Sequence, residues 1–217
     1  MVCERIHTRT RKLLDMIISI LNLKGGVGKT TSAIGLATAA ARDGRDVRVY
    51  DCDPQSSASL WAEVAAERGD ELPFEVESAN IVTVRKIGKK FKGDPGVWAF
   101  IDCPPNGHVA DEAMSVADLV VVPTTSGPAD VAKTFDTAET VSGRGIFYAI
   151  LLNRVAKGTL TLKGALGDFE RRNASYFETM IPRREALATF FGNAFGDELF
   201  GYAEVFEEIK GALDCGD

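Results

Sequence analysis

The feature that most constrains the fold is the glycine-rich run Leu23-Lys24-Gly25-Gly26-Val27-Gly28-Lys29-Thr30-Thr31. An apolar stretch at 16–21 precedes it and predicts a buried strand, and an Ala- and Leu-rich stretch at 32–41 predicts a helix. Strand, glycine turn and helix in that order favour a phosphate-binding loop, where backbone N–H groups converge on an anion. Lys29 would then reach the β- and γ-phosphates of a nucleotide, and the Thr30 hydroxyl would bind Mg²⁺. The alternative is a glycine-rich turn that only connects the two elements.

The loop departs from the usual pattern at its first position. The motif G-x-x-x-x-G-K-[ST] has glycine where this chain has Leu23, and Lys24 stands directly before the glycine pair. The pattern K-G-G-x-G-K-T resembles the deviant Walker A motif of the ParA/MinD family of dimeric ATPases. In that family the first lysine crosses to the nucleotide of the partner subunit. The resemblance therefore implies an ATP-bound homodimer in which Lys24 acts in trans and the loop residues 24–31 bind the nucleotide.

Two carboxylates follow the next predicted strand, which covers residues 47–50. Asp51 and Asp53 would lie at the carboxyl end of a parallel strand, where open α/β sheets bind their ligands. The string D-x-D-P-Q resembles the switch I segment of the family, which assigns Asp53 to the attacking water and to the water shell of the metal. The role of Asp51 is less determined. The alternative is an acidic turn that caps a helix over 56–67.

A third carboxylate ends an apolar strand at 97–102. Asp102 at the strand tip, beside the predicted loop, is placed to hold Mg²⁺ directly or through water. The string I-D-C-P-P that contains it resembles switch II of the same family. Asp102 is therefore the predicted metal-side acid, together with Thr30 and Asp53.

A predicted strand at 145–152 ends in Asn153 and Arg154. An amide can satisfy both donor and acceptor sites of adenine, and an arginine can stack on its face. The resemblance places a base-contacting asparagine here, which makes both residues candidate nucleotide contacts. A simple turn at the strand end is the alternative.

The C-terminal third is rich in basic residues around a last predicted short strand at 175–181. In the family, basic residues of this region bind DNA without sequence preference, whereas the alternative is a set of solvated surface charges. The candidates are Lys157, Lys163, Arg171, Arg172, Arg183 and Arg184. A second basic segment at 85–92 is open to the same two interpretations. The net charge of −6 does not itself favour DNA, because local patches decide such binding.

The composition predicts one soluble, cytoplasmic α/β domain over 16–217, preceded by a basic arm or mis-assigned start at 1–15. No stretch reaches the ~18–20 apolar residues of a membrane span. The predicted C-terminal helix at 197–217 is acidic, whereas MinD-type proteins bind membranes through a basic amphipathic helix, so membrane binding is disfavoured. The four cysteines are scattered and predict neither disulfides nor a zinc site.

Taken together, the residues and the resemblance predict a doubly wound, mostly parallel sheet with helices on both faces. The resemblance implies a ParA-like ATPase of plasmid or chromosome partition, associated with the nucleoid. ATP and Mg²⁺ would close a homodimer on non-specific DNA, and a ParB-like partner would stimulate hydrolysis. One alternative is a positioning ATPase for a non-DNA cargo. The other is an iron–sulfur carrier related to the nitrogenase iron protein, which requires cysteines that meet at a dimer axis. Cys103 directly follows the switch II acid, but no second cysteine is suitably placed.

Overall fold

The computed structural model describes residues 15–90 and 96–214. The predicted arm at 1–15, apart from Asp15, lies outside these residues, and so does Lys92 of the second basic segment. Within the described residues, six strands form one parallel sheet. They are β1 (Met16–Ile20), β2 (Asp46–Asp51), β3 (Glu75–Ser78), β4 (Val97–Asp102), β5 (Leu119–Thr124) and β6 (Tyr148–Leu152). The order across the sheet is β3-β2-β4-β1-β5-β6.

Helices cover both faces of the sheet. They are α1 (Lys29–Arg42), α2 (Ser57–Glu67), α3 (Ile81–Lys90), α4 (His108–Val116), α5 (Pro128–Gly143), α6 (Leu160–Arg171), α7 (Glu185–Ala188) and α8 (Tyr202–Asp214). One apolar core lies between the sheet and α1, α2 and α8, and the other between the sheet and α3, α4, α5 and α6. Successive strand residues alternate between them, as Ile17 and Ile18 do. The predicted doubly wound fold is confirmed, with every strand pair parallel among the described residues.

The central strands are apolar because both of their faces are covered. Every residue of β1, β4 and β5 is buried. Continuous apolar runs of this kind are typical of parallel sheets between two helical layers. The helix α1 ends just before Gly44, whose φ of 84° supplies the left-handed conformation of a helix C-terminus. Gly44 therefore terminates the helix.

The predicted strand at 175–181 is wrong. This segment runs parallel to β6 but forms only isolated bridges, Ile150 with Tyr176 and Val155 with Pro182. Between the bridges, the backbone N–H groups of residues 178 and 179 both donate to the Glu208 carboxylate, each at 2.8 Å. Because a side chain of α8 takes these donors, the regular ladder is interrupted.

The C-terminal helix begins at Tyr202, five residues later than predicted. The Arg42 guanidinium donates to the carbonyls of Phe195 and Gly196, each at 2.6 Å, which holds the preceding segment in an irregular conformation. Tyr202, Val205 and Phe206 of α8 are buried in the core shared with α1. The apolar side of this helix is therefore covered by the protein itself. No helix among the described residues combines the length and apolar character that spanning a membrane requires.

Close packing of α1 against α8 leads to a first prediction. A Cβ added at Gly35 would lie 2.4 Å from the ring of Tyr202, which is itself 1% exposed and has no room to move. We expect Gly35→Ala to lower the free energy of unfolding by about 1–3 kcal/mol, the usual cost of overpacking a core. Chemical denaturation measures this.

The matched control is Gly164→Ala in α6, where an added Cβ meets nothing within 4 Å. Alanine is favoured over glycine inside a helix, so this variant should be more stable by about 0.5–1 kcal/mol. Equal stability changes at the two sites would contradict the packing argument.

Candidate active site

The candidate site lies at the carboxyl ends of the two central strands. From β1 the chain passes through α1 toward β2, and from β5, the neighbour of β1 on its other side, it passes through α5 toward β6, in the opposite direction. Adjacent strands whose connections diverge in this way leave a crevice at their carboxyl ends, where open α/β sheets bind ligands. The glycine-rich loop follows β1, and Asp102 ends β4, which pairs with β1, so the fold brings together two signals that are far apart in sequence.

The glycine loop requires glycine at two of its positions. Gly26 has a φ of 75° and Gly28 a φ of 93°, both in the left-handed region that glycine adopts without strain. Gly28 also lies close to the tip of β6, because an added Cβ would stand 2.8 Å from the amide nitrogen of Asn153. The loop then enters α1 at Lys29. This conformation matches the phosphate-binding loop that the sequence predicts.

The tip of β6 holds the loop through two adjacent side chains. Asn153 is buried, and its Nδ2 donates to the carbonyl of Val27 at 3.0 Å and to Oγ of Ser32 at 3.1 Å. The guanidinium of Arg154 donates to the carbonyl of Gly26. Both residues therefore lie at the predicted site, but their donors are directed at the loop. The predicted contact with a base stays a prediction.

Thr30 and Asp102 form the polar centre of the crevice. The Thr30 hydroxyl donates to Oδ2 of Asp102 at 2.6 Å, while Oδ1 of Asp102 is buried and has no hydrogen-bond partner among the described residues. Burial raises the pKa of Asp102 to about 7, against the lowering effect of the Thr30 hydrogen bond. Lys29, at 8% exposed, lies close enough to lower this pKa as well.

These two side chains fit a magnesium ion. Mg²⁺ prefers oxygen ligands and is held in proteins by one or two carboxylates, with substrate phosphates and water completing its shell. The unpaired Oδ1 of Asp102 is a buried oxygen whose burial a nearby cation would offset. The described residues contain no group of three or more His, Cys, Asp or Glu side chains that could hold a metal ion. Nucleotide phosphates would therefore have to supply the remaining oxygens.

The structure separates the two carboxylates that follow β2. Asp51 is buried, and its Oδ2 accepts hydrogen bonds from the backbone N–H and the hydroxyl of Ser59, both at 2.8 Å. Asp51 thus fixes the first turn of α2. This is the helix-capping role that the sequence analysis gave as the alternative for these acids. Asp53 is partly exposed beside the crevice and accepts from the backbone N–H of Gln55 at 3.0 Å. Of the two acids, only Asp53 has a carboxylate open to solvent at this edge.

Lys24 lies on the exposed side of the loop. Its side chain is 47% exposed, and its Nζ stands 3.9 Å from a carboxylate oxygen of Asp130 in the first turn of α5. Its backbone N–H donates to Oδ1 of Asn22 at 2.8 Å. Asn22 is buried, and its own Nδ2 donates to the carbonyl of Pro123 and to the Thr134 hydroxyl. This anchor of the loop to β5 and α5 was not predicted, although a polar asparagine between an apolar strand and the loop is the sequence signal for it.

The six basic residues predicted to bind DNA do not form one surface. The helix α6 leads away from the tip of β6, and residues 176–182 return alongside that strand. Arg171 and Arg172 therefore lie at the far edge of the sheet, where they pair with Asp168 and Glu139. Arg183 and Arg184 lie past the returning segment, at the edge of the sheet where the carboxyl ends of the strands and the glycine loop lie, which we call the nucleotide edge. Both side chains are exposed. Lys157 and Lys163 are also exposed, near the start of α6.

An open groove of about 740 Å³ lies beside the basic residues of the nucleotide edge. Lys157 and Arg184 line it together with acidic side chains that include Glu198 and Glu204. The groove is therefore mixed in charge.

The second basic segment, at 85–92, is only partly free of acidic partners. Arg85 is paired with Glu112 at 2.9 Å, and Lys86 and Lys89 are exposed.

The two cysteines of the described residues are buried next to the site. Cys52 and Cys103 follow Asp51 and Asp102, which face each other across β2 and β4. Cys103 is 0% exposed, and burial raises the pKa of both thiols. A fully buried thiol cannot meet a cysteine of a second subunit in this conformation, so these residues offer no support for the iron–sulfur alternative.

Comparisons with known proteins agree with the geometry. The family model described as CobQ/CobB/MinD/ParA nucleotide binding domain matches residues 18–193. Maintenance of carboxysome distribution protein A from Gloeobacter kilaueensis is 36% identical over 175 residues, which cover 79% of this chain and 75% of that protein.

Two solved structures are similar in fold. One is the septum site-determining protein MinD from Pyrococcus horikoshii, complexed with Mg-ADP, with a TM-score of 0.71 and 18% identity, covering 94% of this chain and 99% of that one. The other is a plasmid partition protein from Borrelia burgdorferi, with a TM-score of 0.68 and 18% identity over 93% and 99% of the two chains. At these identities the likeness supports the fold.

Proposed function

The chain belongs to the CobQ/CobB/MinD/ParA nucleotide-binding domain family, and from that premise we propose that it is a ParA-like ATPase of DNA partition. The observation that carries the nucleotide chemistry is the Thr30–Asp102 pair, which lies directly behind the glycine loop with one carboxylate oxygen unpaired. A phosphate-binding loop joined to an acid of this kind is the arrangement that holds a nucleoside triphosphate with Mg²⁺. The solved relative with bound Mg-ADP is consistent with that ligand.

The residues divide the work of phosphoryl transfer to water. The loop N–H groups and Lys29 would hold the β- and γ-phosphates, while Thr30 and Asp102 would hold Mg²⁺, which would neutralise phosphate charge. Asp53 would accept a hydrogen bond from the attacking water and orient it toward the γ-phosphorus. The water oxygen would bond to that phosphorus as the bond to the β–γ bridging oxygen breaks, so that the electron pair leaves with ADP, one proton of the water stays on the phosphate and the other passes to solvent.

Lys24 is the proposed link between hydrolysis and assembly. Its amine is exposed at the nucleotide edge and is only loosely paired with Asp130, so it is free to reach a second copy of the chain. Inserted beside the γ-phosphate of the partner subunit, it would add positive charge there only in the ATP-bound homodimer. Hydrolysis would remove that attraction and release the dimer, and a ParB-like centromere-binding protein would accelerate this step.

DNA binding is proposed for the basic residues of the nucleotide edge. When two subunits close over ATP, residues at that edge approach those of the partner, whereas residues at the far edge do not. Arg183 and Arg184, with Lys157, are therefore better placed than Arg171 and Arg172 to form a surface that exists only in the dimer. Contacts to phosphates would give affinity without sequence preference and would associate the protein with the nucleoid.

The experiment that tests this proposal measures binding to random duplex DNA by anisotropy, with ATP and with ADP, across a salt series. We expect binding with ATP alone, because doubling the phosphate contacts steeply raises affinity. It should fall roughly tenfold or more between about 50 and 200 mM salt if three or more phosphates are neutralised. Arg183→Glu with Arg184→Glu should reduce binding strongly while ATP-driven dimerisation persists.

The matched control is Arg171→Glu with Arg172→Glu, which makes the same charge change at the far edge and should reduce binding less. Equal binding with ATP and with ADP, or none with either, would contradict the partition role. A larger loss from the far-edge pair would contradict the assignment of the surface.

A second candidate function is the positioning of a non-DNA cargo. A specific observation favours it, because the relative at 36% identity is named for maintaining carboxysome distribution. The nucleotide site would be the same, and only the cargo that the protein positions would differ. Stimulation of hydrolysis by a cargo-attached protein, in the absence of any centromere-binding protein, would select this function over DNA partition.

A further inference from the structure

We infer that the helix α5 positions Lys24 for the partner subunit, with Asn22, Thr134 and Thr137 as positioning residues. The inference rests on the proposed function, in which the Lys24 amine reaches the γ-phosphate of a second copy of the chain. It concerns the backbone from which that side chain extends. The hydrogen bonds that join the end of β1, the start of the glycine loop and one face of α5 carry it.

The amide of Asn22 has hydrogen-bond partners at both of its ends. Asn22 is 0% exposed, and its Nδ2 donates to the carbonyl of Pro123 at 2.8 Å and to Oγ1 of Thr134 at 3.0 Å. Its Oδ1 accepts from the backbone N–H of Lys24 at 2.8 Å and lies 3.4 Å from the Thr137 hydroxyl. Turning this amide would leave buried donors unpaired, which is costly. Asn22 therefore fixes the direction of the Lys24 backbone.

The hydroxyl of Thr137 holds the next N–H group of the chain. The backbone N–H of Leu23 donates to it at 3.2 Å, and the hydroxyl itself donates to the carbonyl of Lys133, one turn earlier in α5, at 3.0 Å. The Thr134 hydroxyl donates in the same way to the carbonyl of Asp130 at 2.8 Å. Because a hydroxyl has one proton and two lone pairs, this leaves each oxygen able to accept from the loop.

The side chain of Lys24 meets the same face of α5. Asp130, Thr134 and Thr137 are spaced four and three residues apart, which places them on one side of a helix. The Lys24 amine stands 3.9 Å from the Asp130 carboxylate, and such exposed pairs contribute little. The buried backbone contacts fix where the side chain starts, whereas its charged end is free to leave for the partner.

The polar character of this face distinguishes it from the rest of the helix. Val131 and Phe135 of α5 pack in the apolar core, and apolar side chains alone would attach the helix to the sheet. Thr134 and Thr137 are 0% and 1% exposed, so their hydroxyls are retained where burial of polar groups is costly. What they add to packing is a defined direction for the backbone that leads into Lys24.

Loss of this anchor should weaken dimerisation more than it weakens nucleotide binding by one subunit. In the proposed cycle Mg-ADP is bound by a single copy, whereas a non-hydrolysable ATP analogue with Mg²⁺ closes the dimer. Thr137→Val keeps the shape of the side chain and removes the hydroxyl, and Thr137→Ser restores the hydroxyl. The matched control is Thr140→Val, the same change on the exposed side of α5, where the hydroxyl donates to the carbonyl of Asp136.

The experiment measures the dimer dissociation constant by analytical ultracentrifugation with the ATP analogue, and Mg-ADP affinity by competition with a fluorescent nucleotide. We expect Thr137→Val to raise the dimer dissociation constant about three- to tenfold, the range for one intramolecular hydrogen bond, with Mg-ADP affinity unchanged. Thr137→Ser and Thr140→Val should dimerise like the wild type. In a Lys24→Ala background Thr137→Val should have no further effect, because the side chain that the anchor positions is gone.

Unchanged dimerisation in Thr137→Val would overturn the inference. Equal losses of dimerisation and Mg-ADP affinity, or a further loss in the Lys24→Ala background, would do so in favour of a general structural role. A wild-type protein that binds Mg-ADP but stays monomeric with the analogue would instead overturn the proposed homodimer, and the inference with it. If Lys24→Ala does not dimerise, the comparison of dimerisation with Mg-ADP affinity decides.

Thermal unfolding without ligand shows whether Thr137→Val folds. If it does not, Thr134→Val is measured in its place, because it removes the hydroxyl that accepts from the Asn22 amide. The same two outcomes then support or overturn the inference.

Discussion

Lys29→Ala is expected to abolish nucleotide binding. Lys29 is 8% exposed at the point where the glycine loop enters α1, so its charge acts in a poorly hydrated site. The other donors of the loop are neutral backbone N–H groups, which cannot replace a full positive charge beside the γ-phosphate. A hydrogen bond to a charged group contributes about 1.5–3 kcal/mol, and Lys29 would make one to each of the β- and γ-phosphates, so the loss should be at least about a hundredfold in Kd.

Titration with a fluorescent ATP analogue measures the effect directly. The control is Lys133→Ala, which removes an exposed lysine paired with Asp136 on α5 and should leave affinity unchanged. Because Lys29 is buried, thermal unfolding of the nucleotide-free variant must show that it is folded. Wild-type affinity in folded Lys29→Ala would contradict the assignment of the glycine loop to the nucleotide site.

The sequence predicted the fold well where residues are buried on two sides. The strands β1, β4 and β5 are continuous apolar runs. In a chain of alternating strands and helices, such runs are readily assigned to buried strands of a parallel sheet. The helices α4 and α6 were not predicted. In α4 the buried side chains are mainly small alanines, which give a weak apolar signal, and α6 contains Gly164 and Gly167, which lower its helix propensity.

The candidate site was predictable in its parts but not in its division of roles. Asp51 and Asp53 carry equal charge and lie two residues apart at the end of β2, and only the turn of the chain directs one to Ser59 and the other to the crevice. The partner of Asn153 is 126 residues away in the sequence, so no local spacing could show that its amide faces the loop. In the same way, the separation of Arg171 from Arg183 depends on the direction of α6 and of the returning segment.

Asp53→Asn is expected to leave ATP binding and dimerisation intact and to slow hydrolysis by about a hundredfold to ten-thousandfold, the range for losing a positioned acid–base group. The carboxylate is partly exposed beside the crevice, and its only hydrogen bond among the described residues is from Gln55. The amide oxygen of asparagine can accept that same bond, so the backbone turn is preserved. What is lost is the negative charge that orients the attacking water.

Because hydrolysis releases the dimer in the proposed cycle, Asp53→Asn should accumulate as an ATP-bound dimer that size-exclusion chromatography with light scattering detects. Phosphate release measures turnover in the same sample. The matched control is Asp46→Asn, which makes the same change at the opposite end of β2, where the side chain is exposed and far from the crevice. A monomeric Asp53→Asn with ATP, or turnover equal to that of the wild type, would exclude Asp53 from catalysis, and a neighbouring group would then have to orient the water.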